Sequence, residues 1–182
     1  SGVQLSLLAP SGYSLAVGID VNRNALKFAR GKNLKNTEFI LADAQYLPIR
    51  TGAAQKVVCT EVIEHVDRPD ILLDELKRVL GAGGEVVLTT PNERSFWGIY
   101  EVAWDLFGRG RNYGDTHLKF YSPREIREFF QKFPRSSVTT LFFLSPFIAL
   151  LGNESLVASV ERIDALFEGW NFGVIIIAHA EL

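Results

Sequence analysis

Two carboxylates each close an apolar run of strand length. Asp20 ends Ser14-Leu15-Ala16-Val17-Gly18-Ile19, and Asp43 follows Phe39-Ile40-Leu41-Ala42. An acid just past a strand can accept hydrogen bonds from two vicinal ribose hydroxyls. An acid beside an exposed backbone N–H, as Asp43 is beside Ala44, can read the amino group and a ring nitrogen of adenine together. The pair points to an adenine nucleoside, whereas Asp20 alone does not separate a dinucleotide from a nucleoside cofactor, with a helix cap as the lesser alternative. Further on, Glu61, Glu64 and His65 stand at i, i+3 and i+4, a spacing that one helical turn would point in the same direction. Cys59 lies inside the apolar run Val57 to Thr60 and reads as core rather than nucleophile. Phe96, Trp97, Tyr100, Trp104 and Phe107 recur at helical spacing ahead of Arg109 and Arg111. They read as core or as a lid over an acceptor pocket, the arginines as a solvated turn or a contact for an acidic group.

The elements that must position these residues alternate. A short helix over 2–9 is followed by a strand over 14–20, then a helix capped by Asn22 that runs out near Gly31. Strands are expected over 38–41 and 56–60. Pro69 opens a helix whose face carries Leu72, Leu76, Val79 and Leu80 and which Gly81, Gly83 and Gly84 end, before a strand over 85–90. Ser122-Pro123-Arg124-Glu125 is a capping box, and Ile126, Phe129, Phe130 and Phe133 give the next helix its apolar face. Strands over 138–144 and 173–180, with a helix over 156–167 between them, complete the chain. Such alternation predicts a doubly wound α/β fold with a mostly parallel sheet, whose ligands bind beyond the carboxyl ends of the strands.

At 182 residues, 47% apolar, the chain reads as one domain with length enough for a sizeable core. A formal charge of −2 gives no overall basic field, and with no local basic patch evident a nucleic-acid partner is not expected. A single cysteine, no signal-peptide pattern and no long apolar span lead to the expectation of a cytoplasmic protein without stable membrane insertion.

Val17-Gly18-Ile19-Asp20, Ala42-Asp43-Ala44 with Leu47-Pro48, Glu61 to Val66, and Arg78-Val79-Leu80 through Gly83-Gly84 to Thr90-Pro91-Asn92 resemble, in order, the motifs of class I S-adenosylmethionine-dependent methyltransferases. Within that family the chain is most similar to the ubiquinone-biosynthesis O-methyltransferases and the methyltransferase type 11 group. Those proteins share Glu61-Val62-Ile63-Glu64-His65-Val66, the Thr-Pro-Asn strand end, and Thr116-His117 ahead of Phe120 and Pro123. The resemblance covers about residues 1–133 and implies a Rossmann-like sheet of seven strands. Its first strand and most of its glycine loop would precede Ser1, with Gly2 as the tail of that loop. It further implies one methyltransferase domain over 1–182 with an insertion or lid at about 93–121. Lys56 departs from the family's usual Asp at the start of its strand.

S-adenosyl-L-methionine is the implied cofactor, held by Gly2, Asp20, Val21, Asp43, Ala44, Thr60 and Glu61. The plant small-RNA 2'-O-methyltransferases are also similar over the Glu-x-x-Glu-His run. That likeness implies a divalent metal on Glu61, Glu64, His65 and His117, which an oxygen and imidazole set could satisfy with Mg, Mn, Fe or Zn. Without a metal, Glu61 would lie near the cofactor, Glu64 would be solvated, and His65 would cap a turn or line the acceptor pocket. The implied reaction is methyl transfer to a small-molecule acceptor, chiefly O-methylation. His65 or His117 would be the base, because an imidazole titrates near neutral pH. Rival readings are an NAD-type oxidoreductase and a non-catalytic nucleotide-binding or scaffold domain of the same fold. Neither accounts for Asp43 together with the Glu61 to Val66 run and the Gly83 to Asn92 strand.

Overall fold

The computed structural model describes Leu5 and residues 13–95, 119–141 and 171–182. The helices expected over 2–9 and 156–167, the aromatic segment 96–107, the insertion with Arg109, Arg111 and His117, and Gly2 lie outside the described residues, Leu5 apart. The chain divides into two compact units, 1–50 and 51–182.

In the first unit, β1 (Ala16–Asp20) pairs in parallel with β2 (Thr37–Leu41), in a register that sets Asp20 opposite Leu41. Helix α1 (Arg23–Arg30) connects them. Asn22 is its N-cap, its side chain accepting from the N–H groups of Asn24 and Ala25, and Gly31 is its C-cap, as expected. Leu26 and Ala29 are buried on its inner face. Gly18 is needed where it stands, because a Cβ there would come within 2.7 Å of the Phe39 ring.

The second unit holds a four-stranded sheet in the order β3 (Ala54–Thr60), β4 (Leu80–Pro91), β6 (Ile175–Glu181), β5 (Arg135–Leu141). β3 and β4 are parallel, while β6 runs antiparallel to both of its neighbours. The described residues therefore form six strands in a two-stranded and a four-stranded sheet, a mixed arrangement, where seven mostly parallel strands were expected. Among the described residues, β1 pairs with β2 and β3 with β4.

Helix α2 (Pro69–Val79) opens on Pro69, as its sequence predicts, and buries Leu72, Leu73, Leu76 and Val79. Helix α3 (Pro123–Phe130) has the predicted capping box and packs on β5 and β6 through Ile126 and Phe130. Along β4 burial alternates, with Val86, Leu88 and Thr90 fully buried on one face. With Ile176, Ala178 and Ala180 of β6 they form the core, where each fully buried Val, Leu or Ile side chain contributes about 1.5–3 kcal/mol.

The glycine run differs from its expected place. Leu80 already has extended backbone and pairs with Ala54, so it starts β4 rather than ending α2. The register then shifts, with Lys56 opposite Glu85, and the glycines take up the extra length inside the strand. Gly83 has φ +70 and donates its N–H to the Leu182 carbonyl, while the Gly84 carbonyl accepts the Leu182 N–H. A Cβ on Gly84 would meet the Gly81 carbonyl oxygen at 2.8 Å. Lesser differences are that β1 starts at Ala16, β5 at Arg135 and β6 at Ile175.

Candidate cofactor and acceptor site

The first unit places both predicted carboxylates at the carboxyl end of its parallel pair. The Ala42 N–H donates to the Asp20 carbonyl at 3.3 Å, which ties the two strand ends together. Asp20 Oδ1 accepts the Asn22 N–H at 2.8 Å, bracing the turn into α1. The helix cap itself is Asn22, so capping does not account for Asp20. Asp43 Oδ1 accepts the Gln45 N–H at 2.9 Å, and its carbonyl accepts the Tyr46 N–H at 3.0 Å. Each acid is thus held by its own turn, and Val21 is 70% exposed beside Asp20. Two acids fixed at adjacent strand ends suit a ligand with a vicinal diol at one end and an amino-substituted ring at the other, as adenosine has.

In the second unit Thr60 ends β3 opposite Thr89, and Glu61 then takes a left-handed backbone with φ +52. That conformation costs a non-glycine residue on the order of 1 kcal/mol. It persists because Glu61 donates its N–H to the Thr89 carbonyl and accepts the Thr89 hydroxyl on Oε1, both at 3.0 Å. The Glu61 to His65 run does not make the expected helical turn. Only Ile63–His65 is helical, a single 3-10 turn, with Glu61 outside it. Glu61 and His65 are exposed, whereas Glu64 is fully buried, so Glu64 is not solvated either.

Glu64 Oε2 accepts the Thr90 hydroxyl at 3.0 Å, and Oε1 has no partner among the described residues. Burial raises the Glu64 pKa; its own backbone N–H, the Thr90 hydroxyl, His65 and Glu61 offset only part of this. The same burial, with Glu64 and Glu61 nearby, pushes the Cys59 thiol up to about 12, so Cys59 is the inert core residue expected. Among the described residues no group of three His, Cys, Asp or Glu side chains could hold a metal ion. Glu61, Glu64 and His65 do not fit one by themselves, and His117 lies outside the described residues.

The sequence did not reveal what holds this strand end. Thr89 and Thr90, adjacent on β4, carry the hydroxyls that fix Glu61 and Glu64. No signal local to the sequence marks them, because the β3–β4 register that sets Thr60 beside Thr89 is a tertiary pairing. Asn92 is a second such residue. It is 2% exposed, its amide donates to the Asn171 and Gly173 carbonyls, its N–H donates to the Val174 carbonyl, and it bridges to Tyr121. Lys56, the departure from the family pattern, pairs with Glu85 across the strands at 3.0 Å and lies on the solvent side.

Residues 1–88 match the model of the methyltransferase domain family. Solved structures of the same Rossmann-like α/β fold include a SAM-dependent methyltransferase from Archaeoglobus fulgidus. It is 18% identical, with a TM-score of 0.66 over 98% of this chain and 80% of that one. Two relatives are O-methyltransferases. The fatty-acid O-methyltransferase of Mycolicibacterium smegmatis is 30% identical over 64% of this chain and 39% of its own. The ubiquinone biosynthesis O-methyltransferase of Thiobacillus denitrificans is 28% identical over 69% and 56%. The chain spans about half or less of the length of the curated relatives it matches. The family model over residues 1–88 and the two O-methyltransferase relatives make the chain similar to S-adenosylmethionine-dependent methyltransferases, and the solved structures show that it shares their Rossmann-like fold.

Proposed function

We propose that the chain binds S-adenosylmethionine and directs methyl transfer to a hydroxyl of a small acceptor. The observation that carries this reading is the pair Asp20 and Asp43, each fixed by its own turn at adjacent ends of two parallel strands. Asp20 would accept from the ribose diol, with Val21 covering that side. Asp43 with the Ala44 N–H would read adenine, and Gly2, Thr60 and Glu61 are the further residues that the family resemblance proposes for the cofactor. When bound, the cofactor supplies a methyl group activated on a sulfonium. The chain's own residues then bind and orient the acceptor, exclude water, and take one proton from the accepting hydroxyl. His65, exposed on its turn, and His117 are the residues proposed to take it. The relatives named for a fatty acid and for ubiquinone biosynthesis support O-methylation and a lipophilic acceptor.

A thermal-shift comparison of S-adenosylhomocysteine with NADH tests the cofactor. Stabilisation by the first alone is expected, because a ligand stabilises only a fold that binds it. Asp20→Asn and Asp43→Asn should each weaken S-adenosylhomocysteine binding about tenfold or more, the loss expected for a charge-assisted hydrogen bond. Stabilisation by NADH, or full affinity in both variants, would overturn the reading. Incorporation of labelled methyl from S-adenosylmethionine into a lipid extract rather than a water-soluble one tests the acceptor. His65→Ala should lower kcat with little change in cofactor affinity.

A further inference from the structure

The sequence as a whole carries no basic field, but its charge is unevenly placed. Between Val21 and Thr37 there are five cations, Arg23, Lys27, Arg30, Lys32 and Lys35, and no acidic residue. Helix α1 gathers the first three. It buries Leu26 and Ala29, while Arg23, Lys27 and Arg30, at i, i+4 and i+7, are all exposed on one stripe. On the same exposed arc Phe28 stands 65% open to solvent, although an aromatic side chain is ordinarily mostly buried. The Lys32 ammonium lies 5.7 Å from the Phe28 ring centroid. Arg30 is steadied by donating to the Phe39 carbonyl at 2.7 Å, which keeps its charge at the end of the helix. The exposed side of α1 therefore carries a local cationic stripe and, about 100° further round the helix, an exposed aromatic ring with Lys32 beside it.

We propose that the exposed side of α1, with the stripe Arg23, Lys27 and Arg30 and, next to it, Phe28 with Lys32, docks the protein reversibly on an anionic phospholipid surface. Because Leu26 and Ala29 are buried in the protein, the attachment is chiefly electrostatic, about 1 kcal/mol or roughly fivefold in affinity for each cation on lipid phosphates, with the Phe28 ring as the one apolar group that reaches the headgroups. Among the described residues no helix is long and apolar enough to cross a membrane. A nucleic-acid strand fits less well. Such strands are held in cationic grooves with aromatic faces open for stacking, whereas α1 is convex and Lys32 occupies a face of its single aromatic.

The test is co-sedimentation of the full chain with vesicles of phosphatidylcholine and phosphatidylglycerol in equal parts, against pure phosphatidylcholine. A single-stranded oligonucleotide serves as competitor. The wild type should bind the anionic vesicles only, with an affinity that falls as salt is raised. Arg23→Gln with Lys27→Gln should lower that affinity about 25-fold, at roughly fivefold per cation removed. Phe28→Ala should lower it at unchanged charge. Both variants change exposed positions, and an unaltered far-UV circular dichroism spectrum would show that they fold. Equal binding to both vesicle types, no binding by the wild type, unchanged binding in the double variant, or complete displacement by the oligonucleotide would each overturn the proposal.

Discussion

Glu61 and Glu64 stand three residues apart and receive hydroxyls from neighbouring threonines, yet their situations are opposite. Glu61 is exposed on a left-handed backbone, and Glu64 is buried on an ordinary one. For Glu61, replacement by glycine removes the backbone strain, so Glu61→Gly should be as stable as the wild type or up to about 1 kcal/mol more stable in urea denaturation. Its affinity for S-adenosylhomocysteine should fall, the trade expected where strain serves a site. For Glu64, burial raises the folded-state pKa above that of the unfolded chain. Its contribution to stability is then fully present below the ordinary glutamate range and is lost as pH rises through the folded pKa. Glu64→Gln can keep the Thr90 contact without a buried charge. It should abolish that loss, so that wild type and variant converge in acid and the variant is the more stable at neutral pH, read from urea midpoints across pH. Asp20 and Asp43 were legible in the sequence because a strand's end is a local event. The burial of Glu64 was not, because it depends on Thr90, 26 residues away.

The elements divide in the same way. Ser122, Pro123 and Glu125 announce the start of α3 within four residues, and every contact they imply is present. Ser122→Ala should therefore cost about 1 kcal/mol in equilibrium unfolding. Glu125 adds an acid sensitivity. Burial opposes its ionisation, but hydrogen bonds from Lys119 and from the Ser122 N–H and hydroxyl outweigh this and pull it down to about 2. A depressed carboxylate stabilises the fold above its unfolded pKa and ceases to do so as pH falls toward about 2. Glu125→Gln should lower stability at neutral pH and flatten the curve below the ordinary glutamate range. The glycine run 81–84 was misread because its conformation is set by distant partners. Ala54 captures Leu80 into the ladder, and the chain's last residue, Leu182, pairs with Gly83 and Gly84. Glycine after a helix ordinarily marks a stop. Only the neighbouring strands show that here it lies within one.

At the scale of the molecule the two units differ in what holds them. In 51–182, α2, α3, β4 and β6 share a core of fully buried aliphatic and aromatic side chains, and Leu88→Ala or Ile176→Ala should cost about 2–5 kcal/mol. In 1–50, Leu26 and Ala29 are the buried apolar side chains among the described residues, and two strands with one helix are marginal on their own. Amides of β1 and β2 should accordingly exchange with deuterium well before those of β4 and β6. The exposed Lys56 also bears on how the protein keeps in storage: it is 75% exposed beside Glu85, and a charged lysine on a strand discourages a second copy from pairing there. Lys56→Val should accordingly make concentrated solutions turn turbid sooner, read by light scattering over days.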